Sequence, residues 1–403
     1  MIRRIVLLLL AVTAAGQAQK LTTTQPANYL REGPASYYQI LAMVPSATAV
    51  DKMDQKGSWL KVKTVQNDLG WLSENSFAVR DGAGQRNDAM LKGTASARAS
   101  RAELAAAVKG FGKKYVEGAE EPPQDISKYA TPTVSPAEME SFENGFAAEA
   151  LRGYAAMERP FDLYFHEEAI GLGIAQKIAV QKGLVQDPAA TRYINLIGNH
   201  LSKFTKAYDL GFRFYLLNDP RASAFACPGG YVFITKGILS LCTSEAELAA
   251  VIAHEMAHVV QRHGLKELKK SEAKVKSEQA FAELEEETGP MGEEERELEQ
   301  YAENAYNNII APRLIGYEKE ADKLALLYLK RAGYDPTALL SMVERLQEAP
   351  AAAPDIFDDN YMKKDEFAER LGALREAVRS GGHRPAPSRQ FTDRFRSTLG
   401  ASR

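Results

Sequence analysis

Along the first eighty positions apolar and polar residues alternate in short runs. Residues 38–44, 47–53, 59–65 and 70–72 carry this two-residue period, and the turn signals Gly33-Pro34 and Lys56-Gly57 punctuate them. They predict a small β module over residues 22–80. Between 81 and 160 the pattern loosens into a linker with helices. Leu104, Val108 and Phe111 give a helical period over 101–116, Pro122, Pro123 and Pro132 favour extended chain, and Pro136 suits the first turn of a helix to about 157. From residue 161 the period becomes helical. Ile170, Ile174, Ile178 and Ala179 mark one face over 167–182, and Tyr193, Leu196, Ile197 and Leu201 mark another from Pro188 to about 208. Residues 212–217 and 231–235 read as strands, 244–263 as a helix, and 365–379 as a final helix. The predicted class is α+β: a mainly helical domain with a small sheet over 161–403, preceded by a small β-barrel.

Residues 1–18 change the picture of where the chain works. Arg3 and Arg4 precede an apolar run over 5–15, and Gly16 and Ala18 suit a cut after Ala18. An exported, periplasmic or extracytoplasmic protein is expected, the alternative being an uncleaved anchor. No later segment is apolar enough to span a membrane. A formal net charge of −3 speaks against a nucleic-acid partner. With only Cys227 and Cys242, the fold must rest on its core; one bridge or two buried thiols are both open.

Chemistry concentrates on the helix over 244–263. Ser244 is a good N-cap and Glu247, three residues on, completes a predicted capping box. His254 and His258 lie four apart on one face, so both imidazoles can reach one metal ion. Glu255 points to an adjacent angle, suited to a water on the metal, where it can act as general base and later as proton donor. With 6 His and 53 acidic residues in 403 positions, chance placement gives roughly 0.01 such motifs. A catalytic zinc site wants a third protein ligand. Glu318 and Asp322 are four apart on a helical pattern continued by Leu324, Leu327 and Tyr328. Glu318 can ligate and Asp322 can hold the ring N–H of a ligand histidine. Glu320 points elsewhere and is the weaker ligand candidate. His263, five residues past His258, falls off the ligand face and reads as a C-terminal cap.

Two resemblances follow. Asn28-Tyr29-Leu30-Arg31-Glu32-Gly33-Pro34, Gly57-Ser58-Trp59-Leu60-Lys61-Val62 and Gly70-Trp71-Leu72 resemble bacterial SH3 domains. That likeness implies a binding module for cell wall or a protein ligand, with Trp59 read as core and Trp71 left open. The run from Ala224 to Thr235 (AFACPGGYVFIT), the stretch Glu247–Glu255 and Glu318-Lys319-Glu320-Ala321-Asp322 resemble the M48 zinc peptidases over about 160–345. This implies a gluzincin-type metallopeptidase domain holding one zinc through His254, His258 and Glu318, with Glu255 as base, and likeness to the family's soluble periplasmic branch. Ser223 stands where the family commonly has Asn. The family's late His-Pro and Arg have a reordered counterpart in His383-Arg384-Pro385 and Arg389, so His383 could approach the metal or an oxyanion, with Arg389 and Arg394 equally open as oxyanion partners. Gly230, Tyr231, Val232 and Phe233 are expected to form an edge strand that binds substrate backbone.

The charged region 265–301 could be a lid or a connector. The leading expectation is a zinc endopeptidase acting on unfolded or envelope proteins, in quality control. The alternatives are an SH3-mediated cell-wall or partner-binding protein with a chaperone-like metallopeptidase domain, and a peptidoglycan-cutting enzyme.

Overall fold

The computed structural model describes residues 19–25, 27–78, 134–146, 165–266, 314–352, 364–386 and 389–399. The export signal at 1–18, the helix over 101–116 and most of the candidate lid over 265–301 lie outside these residues. The chain divides into two compact units, one made of residues up to Pro34 with Gln39–Asp81, the other of Ala35–Tyr38 with the remainder from Gly82.

The first unit is a six-stranded antiparallel sheet. Its strands are β1 (Gln19–Thr22), β2 (Ala27–Arg31), β3 (Ile40–Pro45), β4 (Ala49–Lys56), β5 (Trp59–Thr64) and β6 (Leu69–Ser73), in the order β1-β4-β5-β6-β2-β3. Alternate residues Leu60 and Val62 of β5 join Leu30, Val44, Val50 and Leu72 in one apolar cluster, as a half-buried sheet requires. Trp59 is buried and Trp71 half-buried.

The second unit packs helices around a three-stranded sheet. Its elements are α1 (Pro136–Glu143), α2 (Phe165–Lys182), α3 (Pro188–Ser202), β7 (Arg213–Leu217), β8 (Ala224–Cys227), β9 (Tyr231–Thr235), α4 (Lys236–Leu241), α5 (Glu245–Gln261), α6 (Ile315–Ala332), α7 (Thr337–Ala352), α8 (Lys364–Ser380) and α9 (Thr392–Leu399). The helix from Pro188 stops at Ser202, earlier than its apolar period suggests. There Ser202 donates to the Asn199 carbonyl and Thr205 to that of Ser202, side-chain bonds that compete with helix propagation.

Strand order β7-β9-β8 puts β9 in the middle, parallel to β7 and antiparallel to β8. The edge expected at Tyr231, Val232 and Phe233 is therefore not there. All five residues of β9 are buried, and its backbone is paired on both sides. Gly229 and Gly230 turn the chain from β8 into β9 with φ of 73° and 89°, conformations open to glycine; they serve the turn. The outer side of β7 is closed as well. Asn195 of α3 donates to the Phe214 carbonyl at 2.8 Å and accepts from the Phe214 N–H. Among the described residues β7 and β8 are the two edges of this sheet, with no further strand beyond either.

Helix α5 is the centre of the unit. Every residue from Glu245 to Val259 is buried. Its alanines (246, 249, 250, 253 and 257) favour helix and let α6 pack closely against it. Ser244 caps it by accepting from the Glu247 N–H. Glu247 itself departs from the expected box: it accepts from the N–H of Thr243 and pairs with Arg345 of α7. Cys227 and Cys242 are both free and buried.

Candidate metal centre

The last two turns of α5 and the first two of α6 meet face to face. One helical turn separates His254 from His258, and one separates Glu318 from Asp322, so each helix offers two functional groups to the other. Nε2 of His254 lies 3.0 Å from Nε2 of His258 and 3.2 Å from Oε2 of Glu318. Nε2 of His258 lies 3.3 Å from Oε1 of Glu318. All three residues are buried.

The far nitrogens of the two rings are engaged elsewhere. Nδ1 of His254 meets Oδ1 of Asp322 at 2.9 Å, the contact expected of Asp322. Nδ1 of His258 meets Nδ1 of His263 at 2.9 Å. Protons held at Nδ1 leave lone pairs at both Nε2 atoms. Two nitrogen lone pairs and a carboxylate then face one another in a buried space, with no donor of their own to satisfy them. A divalent cation fits that donor set: two imidazoles and one carboxylate are a common catalytic combination.

Arg370 of α8 braces the cluster from behind. Its Nε and Nη2 donate to the two Asp322 oxygens at 2.8 Å each, and its Nη1 lies 2.9 Å from Oε2 of Glu318. The guanidinium fork suits two carboxylates at fixed positions. Burial disfavours charge on all these groups and is outweighed. The Arg370 charge, then His254, hold Glu318 well below the usual carboxylate range. Asp322 is lowered against burial by the same two partners. Against burial and Arg370, the Glu318 charge and the bonds to Asp322 and Glu318 hold His254 up to about 9. A cation binding at the Nε2 atoms must displace that proton.

Glu255 is buried on α5 next to His254. Glu320 is turned away from the cluster and reaches His263 instead, at 3.2 Å. His263 is thus no simple helix cap. His383 is not brought to the site. It lies beside Lys330 and Leu327 in a groove between α6 and α8 with a volume of about 420 Å³. Lys323, Leu327 and Lys330 lie about 120–180° round α6 from Glu318, which puts His383 on the wrong side of the helix. Burial and the Lys330 charge lower its pKa. Arg394 is committed to Glu245 at the other end of α5, and the Arg389 backbone meets Asp335. The cation that does touch the site, Arg370, escaped the sequence reading.

The sequence pattern that defines peptidase family M48 matches residues 188–378, a span holding α3, the three strands, α5, α6, α7 and most of α8. The β-barrel assembly-enhancing protease of Yersinia pestis is 30% identical over 189 residues, which are 45% of this chain and 38% of that protein. Its Escherichia coli K12 namesake is 27% identical over 179 residues, 40% of this chain and 34% of that one. The mitochondrial metalloendopeptidase OMA1 of Schizosaccharomyces pombe is 30% identical over 159 residues, 40% of this chain and 44% of that one. The chain therefore spans less than half the length of these relatives. The matched stretch carries the three converging side chains and their brace alike, and residues 188–378 form a peptidase family M48 domain.

Proposed function

We propose that the chain is a zinc-dependent endopeptidase of exported or envelope proteins, working in protein quality control. The observation that carries the reading is the buried meeting of the Nε2 atoms of His254 and His258 and the Glu318 carboxylate within 3.0–3.3 Å of one another. These three residues would hold the zinc, one per chain. When bound, zinc supplies Lewis-acid polarisation and brings the pKa of water toward about 7. Glu255 takes up the proton that water gives and hands it to the leaving amine. Asp322 and Arg370 keep His254 and Glu318 in place.

Substrate backbone is assigned to the edge strand β8 (Ala224–Cys227), since β9 has no edge to offer. Backbone pairing there would favour extended, unfolded chains and give little side-chain selectivity. No described helix is long and apolar enough to cross a membrane. Export through residues 1–18, and an SH3-like role for the N-terminal sheet in binding cell wall or a partner protein, belong to the same proposal.

Metal analysis and casein digestion of the chain lacking residues 1–18, with and without a chelator, test it. One zinc per chain and chelator-sensitive cleavage are expected. Glu255→Gln should keep its zinc and lose about 10²–10⁴-fold in kcat. Equal cleavage by wild type and E255Q would overturn the mechanism, and intact biological activity in E255Q would favour a binding role.

A further inference from the structure

Helix α5 does not end on a glycine. Arg262 takes the left-handed conformation, φ 54° and ψ 38°, with its N–H held by the carbonyls of His258 and Val259. A non-glycine residue there costs on the order of 1–3 kcal/mol, and such strain persists only where the surroundings impose it. The turn at Arg262 swings His263 back toward the helix it has just left. His263 is 2% exposed. Its ring stacks on Tyr317 of α6 at 4.3 Å and an interplanar angle of 11°. One nitrogen meets His258 and the other meets Glu320.

The proton count along this line has one solution once His258 ligates a metal. Two ring nitrogens 2.9 Å apart share a single proton. A ligand imidazole is neutral and offers Nε2, so its proton sits on Nδ1. His258 therefore donates to His263. Having accepted at Nδ1, His263 carries its own proton at Nε2 and donates it to the Glu320 carboxylate, 3.2 Å away. His254 is held differently, by the Asp322 carboxylate directly. One ligand is oriented by an acid, the other by a second imidazole that must itself be held in the right tautomer.

Resting on the metal-centre reading above, we propose that His263 is a positioning residue. It fixes the tautomer and ring plane of His258 for metal binding, and Tyr317 and Glu320 fix His263 in turn. The strained turn at Arg262 exists to deliver it.

The test uses the full chain and two probes, zinc in competition with a chelator and cobalt(II) read by its visible absorption. His263→Phe keeps a ring against Tyr317 and removes the acceptor; His263→Gln restores an acceptor. Zinc affinity should fall about 10–100-fold in H263F, the range seen when partners of metal-ligating histidines are lost, with an altered cobalt spectrum, and most of both should return in H263Q. Affinity within about twofold of wild type in H263F, with an unchanged spectrum, would overturn the proposal. Should metal-free H263F fail to fold by circular dichroism, Glu320→Ala decides, since it removes the acceptor and Glu320 is half-exposed and no part of the core. A loss beyond about twofold then supports the relay and an unchanged affinity overturns it. A wild-type chain that takes up no zinc would sink the metal-centre reading itself, a result distinct from either.

Discussion

Helix α5 carries a buried charged cluster at each end, and the two are built from the same parts to opposite effect. At the N-terminal end, the Glu245 carboxylate is fully buried. It accepts from Tyr193, from Tyr334 at 2.7 Å, and from both edges of the Arg394 guanidinium. Every oxygen faces a donor. Burial and then the Glu245 charge push both tyrosine hydroxyls well above their ordinary range, so they stay protonated and donate. At the C-terminal end, about 14 Å along the helix, Glu318 also has an arginine from a later helix. There, however, the Nε2 atoms of His254 and His258 and the Glu318 carboxylate crowd within 3.0–3.3 Å of one another, around a proton that a cation can displace. A structural network matches donors with acceptors; a metal centre leaves acceptors convergent. Burial and arginine pairing do not tell the two apart, but the proton count does.

That difference predicts a double dissociation. Glu318→Ala removes a proposed ligand and should cut zinc affinity by more than about 10²-fold, beyond the loss of an outer partner, and take proteolysis to background. Arg370 loses its contact with Glu318 but keeps its two bonds to Asp322 in that variant, so the metal-free fold should melt below wild type by less than Glu245→Leu does. Glu245→Leu should do the reverse. It leaves Arg394 without its carboxylate, flanked by the rings of Phe142, Phe146 and Phe391, and strips two buried hydroxyls of their acceptor. A broken buried pair costs about 3–5 kcal/mol, or roughly 6–20 °C in Tm for a domain of this size. Zinc bound per folded chain should be unchanged. Thermal melts alongside zinc titrations of both variants check the pair, and an E245L chain that melts like wild type while losing zinc would break the distinction.

What the sequence exposes follows the same physics. His254, His258, Glu318 and Asp322 were legible because a four-residue period fixes faces within each helix, and only two helices had to meet. Arg370 lies 48 residues beyond Asp322 on a third helix, where no local period points back to the site. A signal existed all the same. On α8 it sits among the buried Phe367, Leu371 and Leu374, and a cation on an apolar helical face needs a buried partner. Strand β9 was visible as a strand but not as a central one, though five consecutive buried apolar or β-branched residues suit an interior strand better than an edge. His263 was misplaced because helical geometry was extended through a residue that breaks it, and a left-handed arginine leaves no mark in the sequence.

The smallest expected effect reads the proton in the acceptor cluster directly. In the metal-free protein His254 is held up to about 9 against an ordinary value of 6.5. A pKa raised on folding stabilises the fold fully below the unfolded value and loses that contribution as pH rises through the folded one. Metal-free stability should therefore decline between about pH 6.5 and 9, by a few kcal/mol at most at about 1.4 kcal/mol per pH unit. The carboxylates act at the other end: Glu318 and Asp322, both lowered, contribute stability above the ordinary carboxylate range and lose it in acid. Zinc displaces the histidine proton, so the zinc-loaded chain should show no such decline, and zinc affinity should rise across the same window. The Glu245 end, whose tyrosines are pushed well above 10, contributes nothing between those pH values. Melting curves at half-unit steps, with and without zinc, separate the two ends of the helix. A metal-free Tm that stays level from pH 6.5 to 9 would mean that no proton occupies the gap between His254, His258 and Glu318, and the contrast between the clusters would then have to rest on something other than unmatched acceptors.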